Sequence, residues 1–310
     1  MTIISLFSGA GGLDFGLAKA GNRVVWANDF DVSAVETYRK NVGDHIVCGD
    51  IRNIDLDAIP NADVVVGGFP CQGFSQANLK RAVDDERNKL YQFFRRTVEV
   101  KRPRFFIAEN VKGILSLGGG AVVKRIMSDF EAVGYRVERF LVNMADYGVP
   151  QTRQRVIFIG QRKDVSDQFL FRFPVPGFGK HGRRPWRTIR EALERFPDPD
   201  APNRLKNHVY SAYKVAFRNF TGHRPTDPDK PCPTILARGN GGGGVCAIPH
   251  YNGMRRLTIR ESAAIQTFPD SFEFCGTMNA CYRQIGNAVP VLFAEKLGRE
   301  LVRIEKVLGT

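Results

Sequence analysis

Cysteine 71 closes the stretch Gly67-Gly68-Phe69-Pro70-Cys71, which follows the largely apolar, β-branched run at 62–66. Such a run, bounded by Gly and Pro, predicts a buried strand that ends in a loop. The thiol would then stand at the C-terminal edge of a strand, where open α/β sheets bind their ligands. Pro70 fixes φ just before it, and the two glycines allow a sharp bend or a close approach to a ligand. That is a way to mount a nucleophile, although a lone cysteine in a loop is more often a buried, inert packing group. Glu109 directly follows the buried run 105–108 and is expected at the same sheet edge. Arg153 and Arg155 are two apart, so in an extended segment both point to one face, as they also would on a solvated edge strand.

These groups need a scaffold, and the chain opens on one. Residues 2–7 read as a strand, 8–12 as a tight glycine turn, and 13–20 as a helix packing Leu13, Gly16, Leu17 and Ala20, which is the start of a nucleotide-binding β-α-β unit. A second strand at 23–27 ends in Asn28-Asp29-Phe30. An acidic residue about 20 positions after a glycine turn suits a ribose diol. Phe30 would stack on an adenine, and Asp50, after a strand at 45–48, would accept from the exocyclic amine. A nicotinamide-dependent oxidoreductase would look the same over residues 1–50. A fourth strand is expected at 62–66, a long polar loop at 75–89 carrying Lys80, Arg81 and Arg87, a helix at 90–100 and a fifth strand at 104–108. A loop of about fifteen residues beside a candidate nucleophile reads as a lid or as disorder. A helix at 121–133 and strands at 137–142 and 156–159 follow. From 164 to 255 Pro, Gly and Arg rise and strands shorten, which predicts an irregular recognition region whose loops do the reading. Helical periodicity resumes at 256–266, and a last helix is expected to open at 284–290.

Composition narrows the class. At 310 residues the chain suggests about two domains and can bury roughly three quarters of its unfolded surface. The six cysteines include no C-x-x-C pair, so a reduced, metal-free, cytoplasmic protein is expected. No apolar stretch of about 18 residues is present, which argues against a membrane span. The net charge of +13 is uneven: −3 over residues 1–60, +8 over 61–163, +7 over 164–255 and +1 beyond. A basic middle suits a polyanion such as nucleic acid, or simply a solubilising surface.

Six motifs fall in order along almost the whole chain: Phe-Ser-Gly-Ala-Gly-Gly (7–12), Gly-Phe-Pro-Cys-Gln (68–72), Glu-Asn-Val (109–111), Gln-x-Arg-x-Arg (151–155), Arg-Leu-Thr-x-Arg-Glu-x-Ala-x-x-Gln-x-Phe-Pro (256–269) and Gly-Asn-Ala-Val-Pro (286–290). Together they resemble the C5-cytosine DNA methyltransferases. The resemblance implies a Rossmann-like α/β fold using S-adenosylmethionine, with a catalytic domain at 1–163 plus 275–310 and a smaller, irregular target-recognition domain at 164–274. It implies a target cytosine flipped from double-stranded DNA. Cys71 would add to C6, Glu109 would contact N3 and the exocyclic amine, and Arg153 and Arg155 would hold the O2 side and brace the site. Phe7, Gly9, Gly11, Asp29, Phe30, Asp50, Leu90 and Asn287 match cofactor contacts. Asp29 stands where glutamate is more usual and Phe30 where tryptophan is frequent, which bears on cofactor affinity rather than identity.

The 75–89 loop is expected to close over the flipped base, with Lys80, Arg81 and Arg87 on phosphates; the likeness matches Thr234-Ile235 to a Thr-aliphatic pair of the family's recognition region, and Arg238 is expected to read a guanine. A monomeric modification enzyme beside a restriction endonuclease is expected. Two other readings remain: a tRNA-directed enzyme, whose usual Cys-Phe-Thr motif the region lacks, and a non-catalytic DNA-binding regulator.

Overall fold

The computed structural model describes residues 1–70, 86–211, 226–237, 248–253 and 255–308. In chain order its elements are β1 (Thr2–Leu6), α1 (Gly12–Lys19), β2 (Arg23–Asp29), α2 (Val32–Asn41), β3 (Ile46–Cys48), β4 (Val64–Gly67), α3 (Glu86–Lys101), β5 (Phe105–Val111), α4 (Ala121–Ala132), β6 (Tyr135–Asn143), β7 (Gln151–Thr152), β8 (Gln154–Arg162), α5 (Ile189–Leu193), β9 (Cys232–Pro233), α6 (Ile259–Ile265), α7 (Met278–Asn287) and α8 (Val291–Leu308).

Seven strands form one sheet in the order β3-β2-β1-β4-β5-β8-β6; the first five are parallel, and β8 runs antiparallel to both β5 and β6. Successive side chains of a strand face opposite sides, and both sides here are buried. Ile3, Val64, Val66, Phe105 and Ile107 pack on one side with Leu17, Tyr38 and Leu297 from α1, α2 and α8. Ile4, Val65, Phe106 and Ala108 pack on the other with Phe94, Ile126 and Phe130 from α3 and α4. The Phe106 and Phe130 rings lie 4.2 Å apart, so Phe130→Ala would cost about 3–5 kcal/mol. The chain leaves β1 toward β2 on one side and later returns to β4 on the other. That reversal opens a crevice beyond the carboxyl ends of β1 and β4.

The expected α/β class holds, while several element boundaries move. β5 runs on to Val111, because its ladder with β8 continues to the Val111–Arg155 pair, so Glu109 lies inside the strand rather than after it. β2 likewise extends to Asp29. Helix α3 begins at Glu86, inside the stretch read as a loop. The 284–290 motif closes one helix rather than opening the last: α7 is N-capped by Thr277, Ala288 is extended, and α8 starts after Pro290. A residue before proline is pushed out of the helical region, which accounts for the break at that point.

Described parts of 164–274 are mostly irregular, with α5, β9 and α6 as short regular pieces. Both helices start with a capping box, Thr188 with Glu191 and Thr258 with Glu261. Ile189, Leu193, Cys232, Ile235 and Leu257 share a hydrophobic cluster with Ala10 and Phe268. None of the described helices is long and apolar enough to cross a membrane.

Candidate active site

One wall of the crevice is the turn that follows β1. Phe7 has φ 56°, Gly9 55° and Gly11 86°. For Phe7 a left-handed conformation costs about 1–2 kcal/mol, so the surroundings must impose it. They do so with hydrogen bonds from Ser8 N to Asn28 O (2.9 Å), Gly11 N to Ser8 O (3.0 Å) and Gly9 N to Asp29 Oδ2 (2.8 Å). Asn28 is itself fixed by donating to the Val47 and Gly49 carbonyls. Asp29 also accepts from Asp31 N, and burial pushes its carboxyl up against the pull of these donors. Next to it the Phe30 ring is 74% exposed. Asp50 reaches the crevice already engaged by the Arg52 side chain, which holds its carboxyl below the usual range.

The opposite wall is built from charge. Glu109 pairs with Ile157 and Val111 with Arg155 in the β5–β8 ladder, so Glu109 and Arg155 are diagonal neighbours on one face of the sheet. Arg155 and Glu109 form an ion pair, Nε to Oε1 2.7 Å, with the two side chains 12% and 13% exposed. Glu109 Oε2 faces Gly68, where an added Cβ would lie only 3.2 Å away; a side chain there would crowd the carboxylate. Asn110 donates from Nδ2 to Phe69 O at 2.9 Å and so ties the loop after β4 to β5. Arg153, 1% exposed, turns to other partners. Its Nη1 donates to Ile235 O (3.0 Å) and its Nη2 to Gly286 O (2.9 Å) and Ala288 O (3.2 Å). Burial pulls this guanidinium down to about 9, reinforced by Arg155 and opposed by Glu109.

Between the walls is a cavity of about 740 Å³. Phe7, Gly9, Asp29, Phe30, Asp50, Leu90 and Asn287 line one part of it, and Pro70, Glu109, Arg153 and Arg155 the other, so the structure brings these sequence-predicted residues into one space. Gly11 lies at the back of the turn: an added Cβ would meet Tyr38 and Val42 at 2.8 Å. Thr234 is close by, donating from Oγ1 to Thr152 O at 2.7 Å. Cys71, Lys80, Arg81 and Arg238 lie outside the described residues, and Arg87 is described only as a position on α3. No cluster of metal-binding side chains occurs among the described residues.

Sequence reasoning missed the support beneath the turn. Asp14 is fully buried and accepts from Ser5 Oγ (2.7 Å) and Tyr38 Oη (2.8 Å), while Ser8 Oγ donates to Ser5 Oγ. Burial raises the Asp14 carboxyl to about 6, although both hydroxyl donors lower it. The available signal was its place beside Leu17, at the edge of the helix face expected to pack. Gln151 was likewise passed over: it accepts from Ile235 N and donates to Gln266 Oε1, both at 2.9 Å.

Comparison with known proteins identifies the family. The chain is 39% identical to the Type II methyltransferase M.NgoFVII of Neisseria gonorrhoeae, over 97% of this chain and 86% of that one. It is 36% identical to M.MthTI of Methanothermobacter thermautotrophicus, covering 100% and 99%. Among solved structures it is similar to a DNA modification methyltransferase encoded within an E. coli prophage, with TM-score 0.74, 26% identity and 99% of each chain covered. The S. pombe Dnmt2 methyltransferase, at 18% identity and TM-score 0.70 over 100% of this chain and 99% of that one, shares the fold. The family model for C-5 cytosine-specific DNA methylase matches residues 1–303, and the chain belongs to that family.

Proposed function

We propose that the protein transfers a methyl group from S-adenosylmethionine to C5 of a cytosine at a defined sequence in double-stranded DNA. The observation that carries this reading is the continuity of one cleft from the strained Phe7–Gly11 turn to the Glu109–Arg155 pair. The residues present fit the cofactor. Phe30 has a free ring face for the adenine, and Asp29, with two donors already bound, keeps lone pairs for a ribose diol. Asp50 would accept from the adenine amine in competition with Arg52, while Phe7, Gly9, Leu90 and Asn287 would enclose the remainder; Gly11, behind the turn, would shape it without touching the cofactor. When bound, the cofactor supplies an electrophilic methyl group on a sulfonium.

Cytosine C5 is a poor nucleophile, and covalent attack splits one difficult step into easier ones. In this reading Cys71, as the thiolate, adds to C6 while Glu109, oriented by Arg155, holds a proton at N3, so that electron density rises at C5. Loss of the C5 proton after methylation then allows Cys71 to leave. A free thiol is only a few per cent ionised at pH 7, so this reading requires a positive charge beside Cys71 or proton transfer coupled to its attack.

Residues 164–274 would form the target-recognition domain, with Thr234 and Arg238 near the DNA. An arginine such as Arg238 suits a bidentate contact with guanine, worth about 1–3 kcal/mol in discrimination. Lys80, Arg81 and Arg87 would hold phosphates, which anchor the duplex without reading it. The relatives are named Type II methyltransferases, which supports a modification enzyme acting beside a restriction endonuclease; such an enzyme would work as a monomer in the cytoplasm.

Bisulfite sequencing of DNA from cells making the protein tests this reading. Protected cytosines in one sequence context with the wild type, and none with Cys71→Ser, are expected. A duplex carrying 5-fluorocytosine at the target should give a denaturant-resistant adduct. Absence of protected cytosines with the wild-type protein would overturn the proposal.

A further inference from the structure

Arg153 and Arg155 are two residues apart in the same wall, but they have different kinds of partner. Arg155 meets a carboxylate. The described hydrogen bonds of Arg153 all go to main-chain carbonyls, and those carbonyls belong to two distant segments: Ile235 follows β9, whereas Gly286 and Ala288 belong to the end of α7. Its buried Nε has no partner among the described residues. A buried guanidinium without a carboxylate in direct contact is costly to keep, and carbonyls are what make it tolerable here.

The recognition segment is also held to the strand just before Arg153, and the two segments meet by two further routes. β7 pairs in parallel with β9, and Thr234 Oγ1 donates to Thr152 O. Gln151 Oε1 accepts from Ile235 N, and Gln151 Nε2 donates to Gln266, whose own Nε2 donates to Ile285 O at 2.7 Å. Finally, Gly286 lies directly under the main chain of Leu236 and Ala237: a Cβ there would sit 2.4 Å from Leu236 C and O and 2.5 Å from Ala237 N. Leu236 and Ala237 on one side of this seam, and Gly286, Asn287 and Ala288 on the other, line the reaction cavity.

We propose that Arg153 is a positioning residue: it joins the 234–237 segment of the recognition region to the end of α7, and so sets where bound DNA sits relative to the reaction cavity, without holding the flipped base itself. The inference rests on the proposed function, since it takes the cavity as the seat of the target cytosine. Planarity is central to it. The fork of an arginine reaches carbonyls on both segments at once, while a lysine keeps the charge but, as a compact point donor, cannot span them.

The test compares wild type, Arg153→Lys and Gly286→Ala as full-length proteins, with S-adenosylhomocysteine as the cofactor probe. Two duplexes are used, both carrying the sequence found by bisulfite sequencing: one with the target cytosine and one with an abasic target. Arg153→Lys should bind both duplexes more weakly by about tenfold or more, the scale of a lost charged hydrogen bond. The loss should be the same with and without the base, and should exceed any loss in S-adenosylhomocysteine affinity by about tenfold on that scale. Gly286→Ala should reproduce this pattern, because it spreads the same seam with no change of charge, and it serves as the test if Arg153→Lys does not fold. A loss confined to the cytosine duplex would show that Arg153 grips the base and would overturn the proposal. Wild-type DNA affinity in Gly286→Ala would overturn it as well. Failure of the wild type to protect any cytosine would instead remove the function on which the inference rests.

Discussion

The two walls of the cleft are made of different material. On the cofactor side the shape is a main-chain shape: Phe7, Gly9 and Gly11 have left-handed φ, and the turn is pinned by Asn28 O, Asp29 and the buried Ser5–Asp14–Tyr38 group. On the reaction side the shape comes from ionisable side chains, the Glu109–Arg155 pair and the carbonyl-bound Arg153. A main-chain wall tolerates side-chain change if its strain is still supported. A wall of charges tolerates little, because removing one partner leaves the other buried and uncompensated.

The sharpest way to break this contrast is at Glu109. Glu109→Gln keeps the size but removes both the partner of Arg155 and the group proposed to hold the N3 proton. General acid–base groups contribute about 10²–10⁴-fold, so the single-turnover methylation rate should fall by at least about a hundredfold. S-adenosylhomocysteine binding, measured calorimetrically, should stay near wild type, since Glu109 belongs to the other wall. A parallel loss of cofactor affinity would mean the walls are not independent.

A second, smaller effect concerns what supports the cofactor wall. The Asp14 carboxyl titrates at about 6 rather than 3.8, so the native state binds its proton more tightly than the unfolded chain does. The burial cost is therefore fully present above about pH 6, shrinks as the pH falls from 6 toward 3.8, and is gone below. Asp14→Asn removes that cost and weakens the bonds from Ser5 and Tyr38. At pH 8 the variant should gain up to about 3 kcal/mol from lost charge burial, offset by about 1 kcal/mol for each weakened hydrogen bond. The informative quantity is the difference between variant and wild type in urea midpoints at pH 8 and pH 5, which should shrink toward the acid side. A difference that stays constant with pH would place the titration elsewhere.

How well each wall could be read from sequence follows from the range of its contacts. The turn after β1, the strand before Gly67 and the position of Glu109 beside a buried run all depend on residues within a few positions of one another, and local pattern exposes them. Even there Glu109 proved to lie within β5, because only the long-range ladder with β8 shows how far the strand runs. Arg153 is different in kind: its carbonyl partners are 82, 133 and 135 residues away, and a main-chain carbonyl leaves no trace in residue type. The Gln151–Gln266 bond spans 115 residues and joins two motifs that had been recognised separately. Asp14 was missed for another reason, since a charged residue on a packed helix face runs against hydrophobic periodicity and only the hydroxyls of Ser5 and Tyr38 make it acceptable.

The smallest expected effect sharpens the contrast at the rim of the cofactor wall. Phe30 is 74% exposed, so its ring contributes little to folding, and Phe30→Ala should change stability by less than about 0.5 kcal/mol. Its proposed work is to stack on the adenine, and a stacked base on an aromatic ring is worth about 1–3 kcal/mol. Loss of the ring should thus raise the Kd for S-adenosylhomocysteine by about tenfold, while a saturating concentration of cofactor restores kcat. Phe30→Trp, which supplies a larger face, should bind at least as tightly as wild type. These outcomes would show a wall whose shape is set by the main chain and whose side chains adjust affinity alone. A fall in kcat that cofactor excess does not rescue would mean that Phe30 also sets the geometry of transfer, and the division of labour between the two walls would then fail at its weakest point.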